Sequence, residues 1–472
     1  MPVGPTYRPA TIHADLDDGF FDRVSAAAFP KTILRHRNQA WAAHVGLDTL
    51  TDAEWIAHFG RFDPLPGSFE QPLALRYHGH QFRSYNPDLG DGRGFLFAQL
   101  YDDQNRLLDL GTKGSGTTPW SRGGDGRLTL KGGVREILAT EMLEALGVNT
   151  SKSFSLIETG EELYRGDEPS PTRASVLVRL SHGHIRIGSF QRLAFQKDRD
   201  GIVRLLDHSI RAHMPALWHD DLATRATAFL AEVTTRVARM GAQWMAAGFV
   251  HGVLNTDNIN ITGESFDYGP WRWLPTYEPG FTAAYFDHSG LYAYGRQPET
   301  LMWNLARLAG CLLPVAEKSA LEEALAPFGD VLQAEFAASM IRRLGLQSRG
   351  LEFDAQLGGL FFGFAQETQA PFEQLFFDLY GGPAGAERRD RSPVAALYEG
   401  PEYAALGAVL NDYSAHNKAR LDHAYFARSR PCTMLVEDVE ALWAPITEKD
   451  DWSLFEGKLA DIKQMAEATN LK

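Results

Sequence analysis

The chain has 472 residues, 44% of them apolar and 22% charged, which suffices for a sizeable core or a large two-lobed enzyme and excludes a wholly disordered protein. Lysine and arginine total 46 against 60 aspartates and glutamates, a net charge of −14 with neutral histidines. That balance argues against nonspecific binding to nucleic acid or to an anionic membrane, while leaving room for local basic pockets.

Two cysteines, Cys311 and Cys432, cannot make a disulfide framework or a four-thiolate zinc site, so a reducing, cytoplasmic setting is expected. The first twenty residues lack a continuous apolar stretch and carry Asp15, Asp17 and Asp18, which fits neither a signal nor a transit peptide. The apolar stretch around Leu301–Val315 is interrupted by Arg307 and is too short to cross a bilayer. Neither a membrane nor a nucleic-acid partner is expected, and the chain is expected to be a monomer.

Glycine is unevenly spread: Gly79 to Gly133 holds 12 of the 44. Glycine lets backbone approach a ligand or another segment closely, and interleaved Phe, Trp, Leu and Arg set this stretch apart from a flexible linker. Within it, Gly94–Asp103 and Arg106–Gly114 read as two strands around an Asp-Gln-Asn turn, with Leu96, Ala98 and Leu100 alternating on one face. Lys113 falls at the end of the second strand. Gly132–Gly147 reads as a helix, with Val134, Ile137, Leu138, Met142 and Leu146 at helical spacing and Gly147 as its stop. Ser151–Thr159 and Ala174–Ser181 resume the strand pattern. After Ile187 the pattern is helical. Between Asp221 and Phe249, residues Leu222, Phe229, Val233, Val237, Met240 and Trp244 form one core-packing stripe. A loop dense in carboxylates and amides follows at His251–Gly269, and Glu299–Phe328 is helical again.

A glycine-rich β-lobe, a strand lysine, a helix glutamate and a helical lobe with Asn and Asp in loops are the parts of a kinase-like nucleotide site. The loop Leu-Gly-Asp-Gly-Arg-Gly places Gly90, Gly92 and Gly94 around Asp91 and Arg93. It has neither the kinase glycine spacing nor a Walker ending, but backbone N–H groups just before a strand can cap phosphate oxygens. Lys113 and Glu136 lie 23 residues apart, a spacing equally compatible with a phosphate-directed lysine and with an ordinary surface ion pair. Small-molecule kinases of this fold carry H-G-D with an asparagine seven residues after the histidine. Here His251-Gly252 is followed by Val253, Asn258 stands at the seventh position, and Asp257 beside it is a candidate to replace the missing aspartate. Asp267-Tyr268-Gly269 is similar to the D-F-G metal motif, and an amide with a carboxylate suits Mg²⁺; turn-building is the plainer role of the same residues. Arg179 and Arg186 are candidates for bidentate phosphate contacts. The pairs His78/His80 and His182/His184 suggest zinc at first sight, but a structural hydrogen-bonding role is expected of them.

The strings YHGHQFRSYNPDLGDGRG, LGTKGSGTTPWSRGGDGR, REILATEMLEALGVNTS, HGVLNTDNINI, DYGP and LYAYGRQPETLMWNLARLA, in order between Tyr77 and Pro314, resemble the selenoprotein O (SelO) family of kinase-like protein adenylyltransferases. The resemblance implies an α+β, protein-kinase-like two-lobed fold, with a small β-rich N-lobe bearing the glycine loop and a large, mainly helical C-lobe. In it ATP lies reversed, so that AMP passes to a Ser, Thr or Tyr hydroxyl of a protein substrate. Residues 1–70 are then a helical N-terminal extension, 71–187 the N-lobe, and 188–472 the helical C-lobe with the catalytic and metal loop. By the same resemblance, Gly90, Gly92, Arg93, Lys113, Asp125, Gly126, Arg179 and Arg186 contact ATP. Asp257 is the proton acceptor, and Asn258 and Asp267 hold Mg²⁺, with Mn²⁺ as a substitute. The chain departs from the family pattern at Arg83 and Tyr85, and no cysteine follows Cys432, so redox control through a C-terminal thiol is not expected. The alternatives are a kinase-like phosphotransferase and, because of Val253, a catalytically inactive nucleotide-binding pseudokinase.

Overall fold

The computed structural model of the chain describes residues 3–166 and 168–471. The stretch expected as a helical extension supplies three strands as well as two short helices: β1 (Arg8–Ala10), β2 (Phe21–Arg23), β3 (Ile33–Arg37), α1 (Gln39–His44) and α2 (Asp52–Gly60). Strands this short hold too few alternations to be read from periodicity. Pairing fixes them instead, with Pro9 opposite Leu100, Asp22 opposite Ala74 and His36 opposite Leu156.

Next come β4 (Leu73–Leu75), β5 (Gly79–Gln81), β6 (Ser84–Asn86), β7 (Leu96–Tyr101), β8 (Leu107–Lys113), β9 (Leu128–Thr129), α3 (Leu130–Ala145), β10 (Lys152–Leu163) and β11 (Thr172–Ser181). The fold is α+β. Its antiparallel sheet runs β2-β4-β7-β8-β11-β10-β3, with β1 on β7 and β9 on β11; β5 and β6 form a separate hairpin. The β8–β11 register sets Arg179 opposite Gly111. Residues directly opposed share a face, as do residues two apart on one strand, so Lys113 and Arg179 project from the same side. Helix α3 starts where the Thr129 side chain accepts from Gly132 N–H, and it buries Val134, Ile137, Leu138 and Met142 against the sheet.

The helical part opens with α4 (Ile187–Phe195), α5 (Arg199–His213) and α6 (Leu222–Ala247), followed by the short strands β12 (Phe249–His251) and β13 (Trp271–Trp273) and by α7 (Gln297–Leu312). Asp221 caps α6 through Thr224 N–H at 2.8 Å, and the stripe from Phe229 to Trp244 is buried. The helical run expected over Glu299–Phe328 breaks after Leu312, where Pro314 interrupts it before a second helix at Lys318–Leu325. One hydrophobic cluster includes Leu73 and Leu96 of the sheet, α3, and α4 to α7. Among the described residues no helix is long and apolar enough to cross a membrane.

The second His-Gly-His pair belongs to a buried polar knot. Asp109 of β8 accepts from Gln99 Nε2 at 2.7 Å and pairs with His184 Nδ1 at 3.2 Å. His13 donates its backbone N–H to Gln99, while the His13–His208 and His182–His213 rings meet edge to face. Burial pushes His13 and His213 down to about 3 and His182 to about 4. These rings stay neutral in the folded chain but gain protons near pH 6.5 when unfolded. Their contribution to stability is therefore complete above about pH 6.5 and is lost as pH falls toward the folded-state values. These rings are expected to contribute no slope in melting temperature from about pH 8 to 7 and a fall between about pH 6.5 and 5, against which the buried carboxyls of Glu264 and Asp257, raised to about 7 and about 6, act in the opposite sense. A His13→Asn, His213→Asn variant is expected to flatten that slope in a thermal-shift series.

Candidate active site

Three cations from three elements meet at one carboxylate. Lys113 Nζ, at the end of β8, lies 3.0 Å from Asp267 Oδ1, and Arg179 Nη1 of β11 lies 3.2 Å from the same oxygen. Arg186 Nη1, at the N-cap of α4, is 3.9 Å from Asp267 Oδ2. Lys113 is also paired with Glu136 of α3, a residue 1% exposed. Burial opposes ionisation of Asp267, but Lys113, Arg179, Arg186 and Arg93 outweigh it and hold the group well below the usual carboxylate range. The cluster is local and positive in a chain that is acidic overall.

Arg186 is aimed by backbone pairing. Ile187 N–H donates to Ile259 and Ile261 N–H to Ile185, so the segment before α4 runs beside the loop that follows Asp257. Arg186 donates to the Asp257 carbonyl at 3.0 Å and pairs with Asp91 at 3.2 Å. Asp257 itself is 7% exposed, and its Oδ1 is buried without a hydrogen-bond partner. Burial, partly offset by Arg186, raises its carboxyl to about 6. Asn258 donates Nδ2–H to the Val253 carbonyl at 2.9 Å, which leaves its amide oxygen uncommitted. His251 Nε2 lies 3.1 Å from the Phe266 carbonyl, tying this loop to the residue before Asp267.

A cavity of about 670 Å³ is lined by Gly90, Gly92, Arg93, Lys113, Asp125, Gly126, Val253, Asp257, Asn258 and Asp267, among others. Arg179 and Arg186 are not on this wall; they stand behind Asp267, each 4% exposed. The glycine loop also has a packing role. A Cβ at Gly90 would lie 2.4 Å from the Trp120 ring, and Ser121 Oγ donates to the Gly92 carbonyl at 2.5 Å. The Asp91 N–H is spent on the Leu75 carbonyl. Gly126 has φ 69°, and a Cβ there would meet the Gly116 carbonyl at 2.3 Å. Asp125 holds Arg165 at 2.8 Å. The lining residues that were not among the sequence candidates include Tyr77, Trp120, Arg122 and Asn255. Arg122 and Arg93 make no ion pair among the described residues, and both are exposed. Only the basic Ser-Arg-Gly-Gly-Asp-Gly-Arg stretch hinted at Arg122.

The first His-Gly-His pair belongs to the β5–β6 hairpin and its approach. His78 Nδ1 is 2.8 Å from Tyr85 Oη, and His80 Nδ1 is 2.7 Å from Gln191 Nε2. Among the described residues no three His, Cys, Asp or Glu groups assemble as a metal cluster. Gly79 of β5 sits against Asp257; a Cβ there would be 2.8 Å from Oδ1. The β5–β6 turn places Phe82 and Arg83 at φ 48° and 63°. Left-handed backbone costs non-glycine residues roughly 1–2 kcal/mol each.

A family profile described as protein adenylyltransferase SelO matches residues 6–463. The chain belongs to the SelO family. A relative from Synechococcus elongatus is 54% identical over 472 aligned positions, covering 96% of this chain and 94% of the relative. Relatives from Gloeobacter violaceus and Trichormus variabilis are 45% and 44% identical, each covering 95% of this chain and 93% and 94% of the relative. All three are named protein nucleotidyltransferase YdiU.

The buried Lys113–Glu136 pair predicts an asymmetric mutant cycle. Lys113→Met leaves Glu136 buried with no counter-charge and is expected to cost about 3–5 kcal/mol. Adding Glu136→Leu is expected to restore a large part of that loss. Urea denaturation of both variants checks it, and a double variant no more stable than Lys113→Met would contradict it.

Proposed function

We propose that the chain transfers AMP from ATP to Ser, Thr or Tyr hydroxyls of other proteins and releases pyrophosphate, in a protein-kinase-like two-lobed fold whose cleft is the cavity described above. The carrying observation is the convergence of Lys113, Arg179 and Arg186 on Asp267 behind a cavity that also presents the unpartnered Asp257 carboxylate. Family membership and the relatives' names support nucleotidyl rather than phosphoryl transfer.

In this reading the acceptor hydroxyl gives its proton to the Asp257 carboxylate as its oxygen bonds to the α-phosphorus. The bond from that phosphorus to the bridging oxygen breaks, and pyrophosphate leaves with the electron pair. A base raised to about 6 is matched to this work, because it is ionised at neutral pH yet more basic than an ordinary aspartate. Lys113, Arg93, Arg179 and Arg186 neutralise the departing phosphates, a preorganised electrostatic role. Gly90, Gly92, Asp125 and Gly126 shape the wall against which the nucleotide lies.

The donor set fits a hard divalent cation. The Asn258 amide oxygen is free because its nitrogen is committed to Val253, and Asp267 is held anionic with Oδ2 bound only at 3.9 Å. Mg²⁺, or Mn²⁺ in its place, would be held by these two oxygens with water and phosphate, and would supply charge neutralisation. The enzyme is proposed to work as a monomer in the cytoplasm.

Paired labelling tests the transfer. Label from α-³²P-ATP is expected to enter protein while label from γ-³²P-ATP does not; the reverse pattern favours the phosphotransferase reading. Asp257→Ala is expected to lower α-label transfer by about 10²–10⁴-fold while ATP with Mg²⁺ still raises the melting temperature. Unchanged transfer in that variant would remove Asp257 from the reaction. Asn258→Ala is expected to weaken the Mg²⁺ dependence of the ATP-induced melting shift, read by titrating Mg²⁺ at fixed ATP.

A further inference from the structure

We infer that an exposed aromatic ledge beside the cavity docks the acceptor protein, taking an extended segment by an apolar side chain about three or four residues from the hydroxyl to be modified. This rests on the transferase reading above and adds to it the class of acceptor sequence. The ledge consists of Phe82 at the tip of the β5–β6 hairpin with Tyr285 and Phe286, which are 37%, 80% and 42% exposed. The Phe82 and Phe286 rings lie 5.8 Å apart, and those of Tyr285 and Phe286 lie 5.1 Å apart.

Both halves of the ledge are fastened to the loop that carries Asp257. Phe82 N–H donates to Asn255 Oδ1 and to Tyr292 Oη, each at 3.1 Å, and Tyr292 Oη donates to Asn255 Oδ1 at 2.7 Å. Asn255 lines the cavity two residues before Asp257. On the other side, Asp287 accepts from Leu291 and Tyr292 N–H at 2.9 and 2.8 Å, closing the loop that presents Tyr285 and Phe286. The ledge is therefore preorganised.

The hairpin turn is a second, independent observation. Both central residues are left-handed, the pattern of a tight hairpin that Asn-Gly would adopt without strain. Phe and Arg occupy it instead, with Arg83 held to Glu299 at 2.9 Å. Strain kept at a site mouth in order to present an aromatic ring points to use of that ring.

The reach follows from the strand. Gly79 touches Asp257, and Phe82 is three residues further on. Three residues of chain span at most about 10 Å, and Phe82 N–H is bonded to Asn255, two residues before Asp257, so the ledge starts within about 10 Å of the carboxylate. An extended acceptor segment with its hydroxyl at Asp257 spans the same distance in about three residues.

The test uses the full chain, α-³²P-ATP, and synthetic eleven-residue peptides with a central Ser or Tyr and a single Leu or Gln moved through positions −4 to +4. Leu at one position three or four residues from the hydroxyl is expected to raise kcat/KM about tenfold over Gln, mainly through KM. Tyr285→Ser with Phe286→Ser is expected to abolish that preference while leaving the ATP-induced melting shift unchanged. Equal labelling of Leu and Gln peptides would overturn the inference, as would a preference that survives in the double variant. A wild-type dimer that the double variant dissociates, seen by sedimentation, would assign the ledge to self-association and also overturn it. If no peptide is labelled while α-label still enters the chain's own hydroxyls, the dock fails and the transferase reading stands. Absence of α-label everywhere fails both.

Discussion

The Asp267 carboxylate sits where β8, β11 and the start of α4 converge, and it is the anion that makes their cations tolerable so close together. Lys113 and Arg186 are both nearly buried, and Arg179 stands beside them. Like charges at this separation repel strongly wherever water is scarce. Asp267 and Glu136 offset that repulsion, and Asp91 takes the outer edge of Arg186. The balance is incomplete on the cavity side, where Arg93 and Arg122 make no ion pair among the described residues. A chain with a net charge of −14 thus presents a cationic recess to an anion, and local placement rather than bulk charge governs what it binds.

The same convergence explains which residues were readable in advance. Lys113 and Glu136 are marked by strand alternation and helical period, because each lies on an element long enough to show one. Asp257, Asn258 and Asp267 were reachable through order and spacing within nineteen residues of loop. The shared direction of Lys113 and Arg179 was not readable, since it depends on the register that opposes Arg179 to Gly111. Nor was the position of Arg179 and Arg186 behind Asp267. The three N-terminal strands were hidden for a simpler reason: three to five residues give no period, and only their partners across the sheet define them. The glycine clustering also had a second cause. Gly90 lies where Trp120 needs the room, and Gly126 where the Gly116 backbone passes, so part of that signal was packing between loops.

The His-Gly-Gln-rich hairpin illustrates how a metal-like string becomes a scaffold. His78, His80 and Tyr85 spend their polar atoms within the hairpin and on α4, and His80 N–H donates to Thr256 Oγ1, one residue before Asp257. These bonds hold β5 against the loop, so Gly79 can approach Asp257 closely enough to keep water off its partnerless oxygen. The raised carboxyl of Asp257 is therefore a consequence of the hairpin as much as of its own loop.

The position of Glu136 shows how far this rigidity extends. Helix α3 packs against the helix Ser453–Thr469, near the end of the chain, and Phe455, Ile462 and Met465 share a hydrophobic cluster with Ile137 and Met142. The face of α3 that carries Glu136 is thus fixed from behind by residues more than three hundred positions away in sequence. A helix free to swing would need that contact to break, exposing several large apolar side chains at roughly 25 cal/mol per Å². Lys113 is accordingly held toward the cavity by the core itself. The placement of Lys113 is a property of the ground state of this fold, whereas Arg122 and Asp125, on the neighbouring loop, are exposed.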